Sequence, residues 1–259
     1  MSEINSRAVL SAGAHIGQNV KIGAFAVVGD EVELGDECVL EPHAVVRGPA
    51  RIGRKNIFDS FSSVGGNPQD LKFSGEHTEV VIGDGNRFRE FSTVSRGTTG
   101  GGGVTRIGNE NLFMAYSHVA HDCIVGSSTV FANGATLAGH VIVEDWVNVG
   151  AFSPVHQFCR VGRYAYIGAC TVITQDVPPF SRVVTQRETK CYGVNKIGLE
   201  RRGFDSARLD NIERAFRLLL RSKLNTTQAL EQIRAQLNGS PDVRELVEFI
   251  ESAKRGLHK

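Results

Sequence analysis

The sequence lacks any apolar run that approaches the ~20 residues of a transmembrane helix. Its first ten residues, MSEINSRAVL, also lack the basic start and the long apolar core of a secretory signal peptide. These two absences argue against a helical membrane protein and against secretion. We therefore expect a cytoplasmic protein without a transmembrane segment.

An excess of charge of one sign is missing as well. The 259 residues include 29 Lys and Arg against 28 Asp and Glu, a formal net charge of +1 at pH 7. This balance predicts no bulk attraction to nucleic acid or to an anionic membrane, so an acidic partner would have to meet a local basic patch. The five cysteines, an odd number without a C-x-x-C pair, fit a reducing compartment.

What the sequence has in abundance is a repeat of six residues, clearest between 113 and 160. Each block opens with a large apolar residue, and its fifth position is small. A period of six fits neither an amphipathic helix nor a plain strand. It is typical of a parallel β-helix built from hexapeptide repeats, in which three blocks form one triangular coil and residues 18 apart stack. The openers in this stretch are Phe113, Val119, Val125, Phe131, Leu137, Val143, Val149 and Val155.

The repeat covers most of the chain. Insertion loops near 65–79 and 96–104 interrupt it, and Pro178-Pro179 ends it, because proline cannot donate to a strand ladder. We predict a β-helix over residues 1–180, a connecting segment over 181–203, and, from apolar residues at helical spacing, a helical subdomain over 204–259. Asn225 with Gln228, and Ser240 before Pro241, are helix-start signals there.

Two smaller patterns bear on stability and loops. Asn56, Asn86 and Asn111 recur at the fifth position of their blocks, where side-chain amides can hydrogen-bond along a corner. The second insertion, RGTTGGGG, contains four consecutive glycines but no Lys-Ser/Thr pair, and no helix is expected to begin there. A flexible loop is therefore favoured over a phosphate-binding loop.

The stacking of residues 18 apart predicts a ladder of polar groups on one edge. His121 falls beside Gly139, Asp122 beside His140, and His156 follows in the next coil, with Gln157 next to it. None of these positions faces inward, so none is needed to fill the core. His121 with Asp122 is typical of a general base and an orienting carboxylate, and the Gly139 N–H can face a developing oxyanion.

Other interpretations of these residues stay open. His118, His121 and His140 can supply three imidazoles to zinc, which would indicate a γ-carbonic-anhydrase-like enzyme. A non-catalytic solenoid used for assembly would leave the histidine ladder dispensable. In the first loop, Gln69, Asp70 and Lys72 can bind sugar hydroxyls and phosphate. A run of basic residues can form a surface for an acidic partner or be ordinary helix-surface charge: Arg201, Arg202, Arg208, Arg214, Arg217, Arg221 and Lys223.

Several motifs together carry a family resemblance. HVAHDC, LAGH, VHQFC, NPQDLKF, QDVPP and GVNKIGLERRGF occur in this order and span essentially the whole chain. This set resembles the UDP-N-acetylglucosamine O-acyltransferases, the first enzymes of lipid A synthesis. The resemblance implies an all-β, left-handed parallel β-helix with a C-terminal α-helical subdomain, and a homotrimer with active sites between subunits.

The resemblance also implies the reaction and the site. An R-3-hydroxyacyl chain passes from acyl carrier protein to the 3-position of UDP-N-acetylglucosamine, and no metal, cofactor or covalent enzyme intermediate is required. His121 corresponds to the general base, Asp122 to its partner and Gly139 to the oxyanion donor. Positions that match the family's substrate contacts are Asp70, Lys72, His140, His156, Gln157, Asn195 and Arg201. We add Gln69 and His118 as further candidate substrate-binding residues.

Two positions differ from the common family pattern. Ser95 stands where histidine is frequent, which leaves open whether the acceptor is a 3-hydroxyl or a 3-amino sugar. Ala169 stands where the family's acyl-length ruler is often glycine, so we expect a shorter chain preference than that of members with glycine.

Overall fold

Residues 1–185, 191 and 193–253 are described by a computed structural model of the chain. The chain divides into two units, Met1–Thr185 and Gln186–Lys259. Within the described residues, none of the helices combines the length and the apolar character that a membrane crossing requires.

Short strands of two to four residues build the first unit. In chain order they are β1 (Glu3–Ile4), β2 (Val9–Leu10), β3 (His15–Ile16), β4 (Lys21–Ile22), β5 (Val27–Val28), β6 (Val32–Leu34), β7 (Val39–Leu40), β8 (Val45–Val46), β9 (Ala50–Ile52), β10 (Ile57–Phe58), β11 (Ser63–Gly66), β12 (Glu79–Ile82), β13 (Arg87–Phe88), β14 (Thr93–Ser95), β15 (Val104–Ile107), β16 (Leu112–Phe113), β17 (His118–Val119), β18 (Ile124–Val125), β19 (Val130–Phe131), β20 (Thr136–Leu137), β21 (Ile142–Val143), β22 (Asn148–Val149), β23 (Pro154–Val155), β24 (Arg160–Val161), β25 (Tyr166–Ile167) and β26 (Arg182–Val183).

These strands form three parallel sheets that run the length of the β-helix. The first sheet takes every third strand from β1 to β25 and then β26, the second takes β2 to β23, and the third takes β3 to β24. Paired residues lie 18 apart, as in Val119–Leu137–Val155. Across the first insertion Val64 pairs with Val94, 30 residues on, and across the second Val94 pairs with Val119, 25 on. The loops therefore add 12 and 7 residues to their coils. The stacking continues past both, with a local register shift between Val64 and Gly66 where the first insertion begins.

The core confirms the six-residue pattern. The block openers point inward, and Phe58, Phe88, Phe113 and Phe131 form a buried column with ring centroids 4.9–5.1 Å apart. The small fifth positions, such as Cys123 and Ala135, are fully buried at the adjoining turns. Because the interior is narrow, a large residue at the fifth position would displace the opener beside it.

Most corners use a left-handed backbone residue three positions after the opener. Asp122, His140 and Phe158 have φ of 59°, 61° and 65°, a region that few non-glycine residues occupy and that Asp and His adopt more readily than most. Side chains at this position lie outside the core, so equivalent residues of successive coils form columns along the corner.

The second unit contains four helices: α1 (Lys196–Glu200), α2 (Ser206–Arg221), α3 (Thr226–Leu237) and α4 (Pro241–Ser252). The last three pack around a common apolar core that includes Leu219, Ile233 and Val247. Asn225 and Gln228 form the predicted capping box at the start of α3. Ser240 precedes α4 as predicted, but its side chain makes no capping bond. The short α1, inside the predicted connecting segment, was not predicted.

A column of buried asparagines binds successive coils together. The Asn86 side chain donates to Asn56 Oδ1 at 2.9 Å and to the Gly108 carbonyl at 3.0 Å. Its Oδ1 accepts from the backbone and side-chain nitrogens of Asn111 at 3.0 and 2.9 Å. All three asparagines are at most 2% exposed, so each amide satisfies groups that have no access to water.

We expect Asn86→Ala to destabilise the protein by about 3 kcal/mol, because several buried donors and acceptors lose their partner at once. Asn133→Ala is the matched control, since Asn133 is an exposed asparagine of the same β-helix. Denaturant midpoints of both variants measure the difference. Equal midpoints for the two variants would show that the asparagine column contributes nothing to stability.

Candidate active site

The corner that follows the second sheet brings the predicted polar ladder together. Strands β17, β20 and β23 stack with an 18-residue register, which places His121 beside Gly139 and Asp122 beside His140. The backbone supports this placement, because the His140 N–H donates to the His121 carbonyl at 3.1 Å. His156 and Gln157 follow on the same corner in the next coil, and both are exposed.

His121 and Asp122 form a hydrogen-bonded pair. His121 Nδ1 lies 2.8 Å from Asp122 Oδ2, and the two side chains are 15% and 1% exposed. An ionised carboxylate can only accept, so the imidazole Nδ1 carries the proton and donates it. The other ring nitrogen, Nε2, is then left as the acceptor, which is the state that a general base needs.

Asp122 is held by residues that the sequence analysis did not single out. The Thr98 backbone N–H donates to Oδ1 at 2.8 Å, and the Thr98 hydroxyl donates to Oδ2 at 2.6 Å. The Asp122 backbone N–H in turn donates to Thr105 Oγ1 at 2.8 Å. Thr98 lies within the glycine-rich insertion and Thr105 directly after it, and the folded shape of this segment brings both to Asp122. No spacing in the sequence would have revealed these contacts.

Gly139 is next to the His121 ring for a steric reason. A Cβ at this position would lie 2.6 Å from His121 Cε1 and 2.8 Å from Nε2, so any side chain here would displace the imidazole. The Gly139 N–H finds no acceptor within the part of the chain that the structure describes. Equivalent corner residues such as Ala115 and Ala151 share that property. Gly139 differs from them because its missing side chain leaves the His121 imidazole open to a substrate. Its own N–H lies beside that ring.

His140 closes one side of the pair. Its Nε2 lies 3.8 Å from Asp122 Oδ2, and its ring meets the His121 ring edge-on at 5.2 Å. Phe158, which the sequence analysis missed, stacks on the other face of His140 at 4.6 Å. This stacking fixes the orientation of the His140 ring while 26% of its side chain stays exposed.

His118 lies on the outer face of β17. Thr93 Oγ1 is 2.7 Å from His118 Nδ1, and burial lowers the pKa of His118, with a further contribution from His121. His118 is therefore biased toward the neutral form. The buried Cys123 is no candidate nucleophile, because burial raises its thiol pKa to about 12.

The three-imidazole zinc set that the sequence left open as an alternative does not assemble in the described chain. Among the described residues, the ligand atoms that come within 4.8 Å of one another belong to His121, Asp122 and His140, and His118 is not one of them. Asp122 Oδ2 is already engaged by Thr98 and His121 at hydrogen-bond distance. The donor set thus fits a hydrogen-bonded pair better than the three-imidazole site, and that interpretation is corrected.

The remaining predicted residues lie elsewhere in the chain. In the first loop Gln69 and Lys72 are exposed, whereas Asp70 Oδ1 accepts from the Lys72 backbone at 2.9 Å and shapes the loop. Ser95 is buried at the end of β14. Ala169 is exposed on a different corner, after β25.

Two more predicted residues belong to the second unit, where they flank α1. Asn195 caps this helix through a 3.2 Å bond from the Gly198 N–H, and Arg201 follows its last residue with an exposed side chain. Of the predicted basic run, Arg208 is paired with Asp242 at 2.7 Å and stacks on Phe204.

Comparison with known families agrees with this architecture. The model of the bacterial transferase hexapeptide repeat matches residues 13–48 and 105–139. The model described as UDP-N-acetylglucosamine O-acyltransferase, domain 2, matches residues 176–258. The two models therefore cover parts of both units.

Individual relatives match over nearly the whole chain. An acyl-[acyl-carrier-protein]–UDP-N-acetylglucosamine O-acyltransferase from Stenotrophomonas maltophilia is 49% identical over 98% of this chain and 97% of its own length. One from Herminiimonas arsenicoxydans is 42% identical over 99% of both.

Solved structures agree as well. The UDP-N-acetylglucosamine acyltransferase of Francisella novicida superposes with a TM-score of 0.69 at 35% identity, over 98% of this chain and 93% of that one. The Arabidopsis enzyme gives 0.60 at 31% identity, over 99% and 100%.

These matches confirm the predicted fold class, a left-handed parallel β-helix with a helical subdomain. They extend through the repeats, the two insertions and the helical unit, and the predicted family is confirmed with them. The chain belongs to the UDP-N-acetylglucosamine O-acyltransferase family.

Proposed function

We propose that this chain transfers an R-3-hydroxyacyl group from acyl carrier protein to the 3-position of UDP-N-acetylglucosamine, the first step of lipid A synthesis, with His121 as general base. The observation that carries the mechanism is the 2.8 Å bond from His121 Nδ1 to a buried carboxylate, next to a glycine that leaves the ring accessible. Donor and acceptor classes follow from the names of the relatives. We place the reaction in the cytoplasm, as the sequence predicts.

In the reaction His121 first accepts a proton from the sugar and then donates a proton to the leaving group. His121 Nε2 accepts the proton of the sugar 3-hydroxyl as its oxygen attacks the thioester carbonyl carbon of the donor. The charge that develops on the imidazole is stabilised by the hydrogen-bonded side chain of Asp122, which is 1% exposed. When the tetrahedral intermediate collapses, the carbon–sulfur bond breaks, and the imidazolium returns its proton to the departing thiolate.

The carbonyl oxygen becomes negatively charged in that intermediate. The Gly139 N–H lies beside the imidazole and has no other acceptor in the described residues, so it can donate to this oxygen. His140, 3.8 Å from Asp122, stands at the edge of the same space and can contact the substrate. His118, His156 and Gln157 extend the substrate surface along the corner and the adjoining strand.

Acceptor recognition needs groups beyond this corner. Gln69, Asp70 and Lys72 of the first loop supply amide, carboxylate and cationic groups suited to sugar hydroxyls and a diphosphate. Asn195 and Arg201 stay predicted substrate-binding residues on the family resemblance. Ser95, buried in β14, replaces the histidine that is common in the family. Contacts near Ser95 therefore select between an acceptor with a hydroxyl and an acceptor with an amine at the 3-position.

The acyl carrier protein requires a docking surface of its own. Arg214, Arg217 and Arg221 are exposed on α2 at spacings of three and four residues, which puts them on one helical face. They favour the basic-surface interpretation of this run. Arg208 lies on a different side of α2, where it pairs with Asp242.

We expect His121→Ala to lower kcat by about 10²–10⁴-fold, the usual contribution of a positioned base. The side chain is outside the core, so the melting temperature should change little. His15→Ala is the matched control, because His15 is an exposed histidine on another strand. Activity of the unmodified protein should survive treatment with a chelator. Near-normal turnover of His121→Ala would mean that another group is the base.

We also propose a homotrimer with active sites between subunits. The ladder lies on the outer corner of a triangular coil, and one convex corner provides only one wall of a pocket. A neighbouring subunit must supply the opposite wall. Sedimentation equilibrium should therefore give three times the chain mass for the active species. A monodisperse monomer with full activity would contradict this.

Ala169 is proposed to limit the acyl chain. It follows His121 by 48 residues, which is two and two-thirds coils, or about 13 Å along the axis at the usual strand spacing. A staggered chain advances about 1.3 Å per methylene, so about ten methylenes reach this level. Ala169 lies on another corner, which a neighbouring subunit can bring to the site. Its methyl group then occupies space that glycine would leave free.

We expect Ala169→Gly to shift the preferred donor by one or two methylenes toward longer chains, with about 1–3 kcal/mol of discrimination per misfit methylene. Ala115→Gly is the matched control, because Ala115 has the same corner position three coils earlier, level with His121. Competition between carrier proteins of graded acyl length measures the shift. An unchanged preference in Ala169→Gly places the ruler elsewhere.

A further inference from the structure

The glycine-rich segment of residues 96–103, which we call the glycine loop, has no role in the mechanism described so far. It is not an unattached loop. Thr99–Gly101 form a 3₁₀ turn, and the carbonyl of Thr98 accepts from the Gly101 and Gly103 N–H groups at 3.0 and 2.7 Å. The loop is thus folded around Thr98, the residue that contacts Asp122.

Both ends of the glycine loop are tied to the β-helix. The Gly97 N–H donates to the Glu79 carbonyl at 3.1 Å, and the Glu79 N–H donates to the Gly103 carbonyl at 2.9 Å. The Arg96 side chain donates to the Gly48 carbonyl at 2.7 Å. These bonds anchor the loop independently of Asp122, so Thr98 has a defined position before it contacts the carboxylate.

Thr98 binds both oxygens of Asp122. Its backbone N–H reaches Oδ1 at 2.8 Å and its hydroxyl reaches Oδ2 at 2.6 Å. The torsion that rotates a carboxylate about its own axis is intrinsically broad, so donors placed on both oxygens restrict the carboxylate plane. In the observed plane Oδ2 also accepts from His121 Nδ1 at 2.8 Å.

A glycine at position 101 is required for this arrangement. A Cβ at Gly101 would clash with the Asp122 carboxyl group. The loop therefore packs its backbone directly on Asp122 and leaves the side chain 1% exposed. Burial strengthens the hydrogen bonds to this carboxylate, since water does not compete for its oxygens.

We propose that Thr98 is a positioning residue for the acyl transfer. Through its hydroxyl it holds Asp122 in the plane that keeps His121 in the Nδ1–H tautomer, with Nε2 aimed at the acceptor. This inference rests on the proposed function, in which His121 is the general base. Thr98 itself touches neither substrate nor the reacting atoms, and its effect passes entirely through Asp122 to His121.

Thr98→Val tests the proposal, because valine keeps the shape and the backbone N–H but removes the hydroxyl. We expect kcat to fall about tenfold while KM for the sugar nucleotide changes less than about twofold, since an orienting contact to a histidine partner affects turnover more than binding. Thr98→Ser restores the hydroxyl and should recover most of the lost kcat. Thr99→Val, an exposed threonine one residue on, is the matched control and should retain kcat.

Introducing Thr98→Val into the His121→Ala variant distinguishes a positioning role of Thr98 from a merely structural one. If Thr98 acts through His121, Thr98→Val should cost less than about twofold in the residual kcat of His121→Ala, because the group it positions is gone. A full tenfold loss in that background overturns the proposal, as does wild-type kcat in Thr98→Val alone. If valine prevents folding, Thr98→Ala is measured in the same two backgrounds.

The two proposals fail separately in this experiment. Near-normal kcat in His121→Ala would contradict the assignment of His121 as general base, and the role proposed for Thr98 would fall with it. Collapse of kcat in His121→Ala with full activity in Thr98→Val removes only the positioning role. Equal losses in Thr98→Ser and Thr98→Val would show that the hydroxyl is not the group that matters, and would also overturn it.

Discussion

The parallel hydrogen bonds between coils are the constraint on which the rest of the structure depends. They hold residues 18 apart in register, as in Val119–Leu137–Val155, through most of the first unit. Apart from a local shift between Val64 and Gly66, the register continues across two insertions of 12 and 7 extra residues, because each is looped out at a corner. Every local feature, from the phenylalanine column to the His121–Asp122 pair, is a consequence of which residues the register makes neighbours.

The register separates positions that stabilise the fold from positions that can do chemistry. Openers and fifth positions are committed to a narrow core, where the buried asparagines exchange amide hydrogen bonds from coil to coil. The corner residues face outward and can vary without disturbing that core. His121, Asp122 and His140 occupy corner positions, so catalytic groups were placed at little cost to packing. The positive φ of Asp122 also fits this position, because aspartate adopts the left-handed conformation more readily than most residues.

The glycine loop connects the stable repeat to the catalytic pair. Its extra residues do not interrupt the sheets, yet they return to the corner and enclose the Asp122 carboxylate with two donors from Thr98. A solenoid corner alone would leave this carboxylate open to water, and an exposed carboxylate orients an imidazole weakly because water competes for its oxygens. The insertion thus supplies the burial that the repeat cannot provide.

The repeat, the helical tail and the alignment of His121 with Gly139 and of Asp122 with His140 could be predicted from the sequence. This was possible because an 18-residue coil converts spacing directly into adjacency. Other contacts became visible only in the folded chain. Thr98 and Thr105 bind Asp122, Phe158 stacks on His140, and His118 pairs with Thr93 instead of joining a zinc site. The threonine contacts to Asp122 depend on how the loop folds back, and the ring contacts depend on side-chain rotamers, neither of which has a period that a sequence can display.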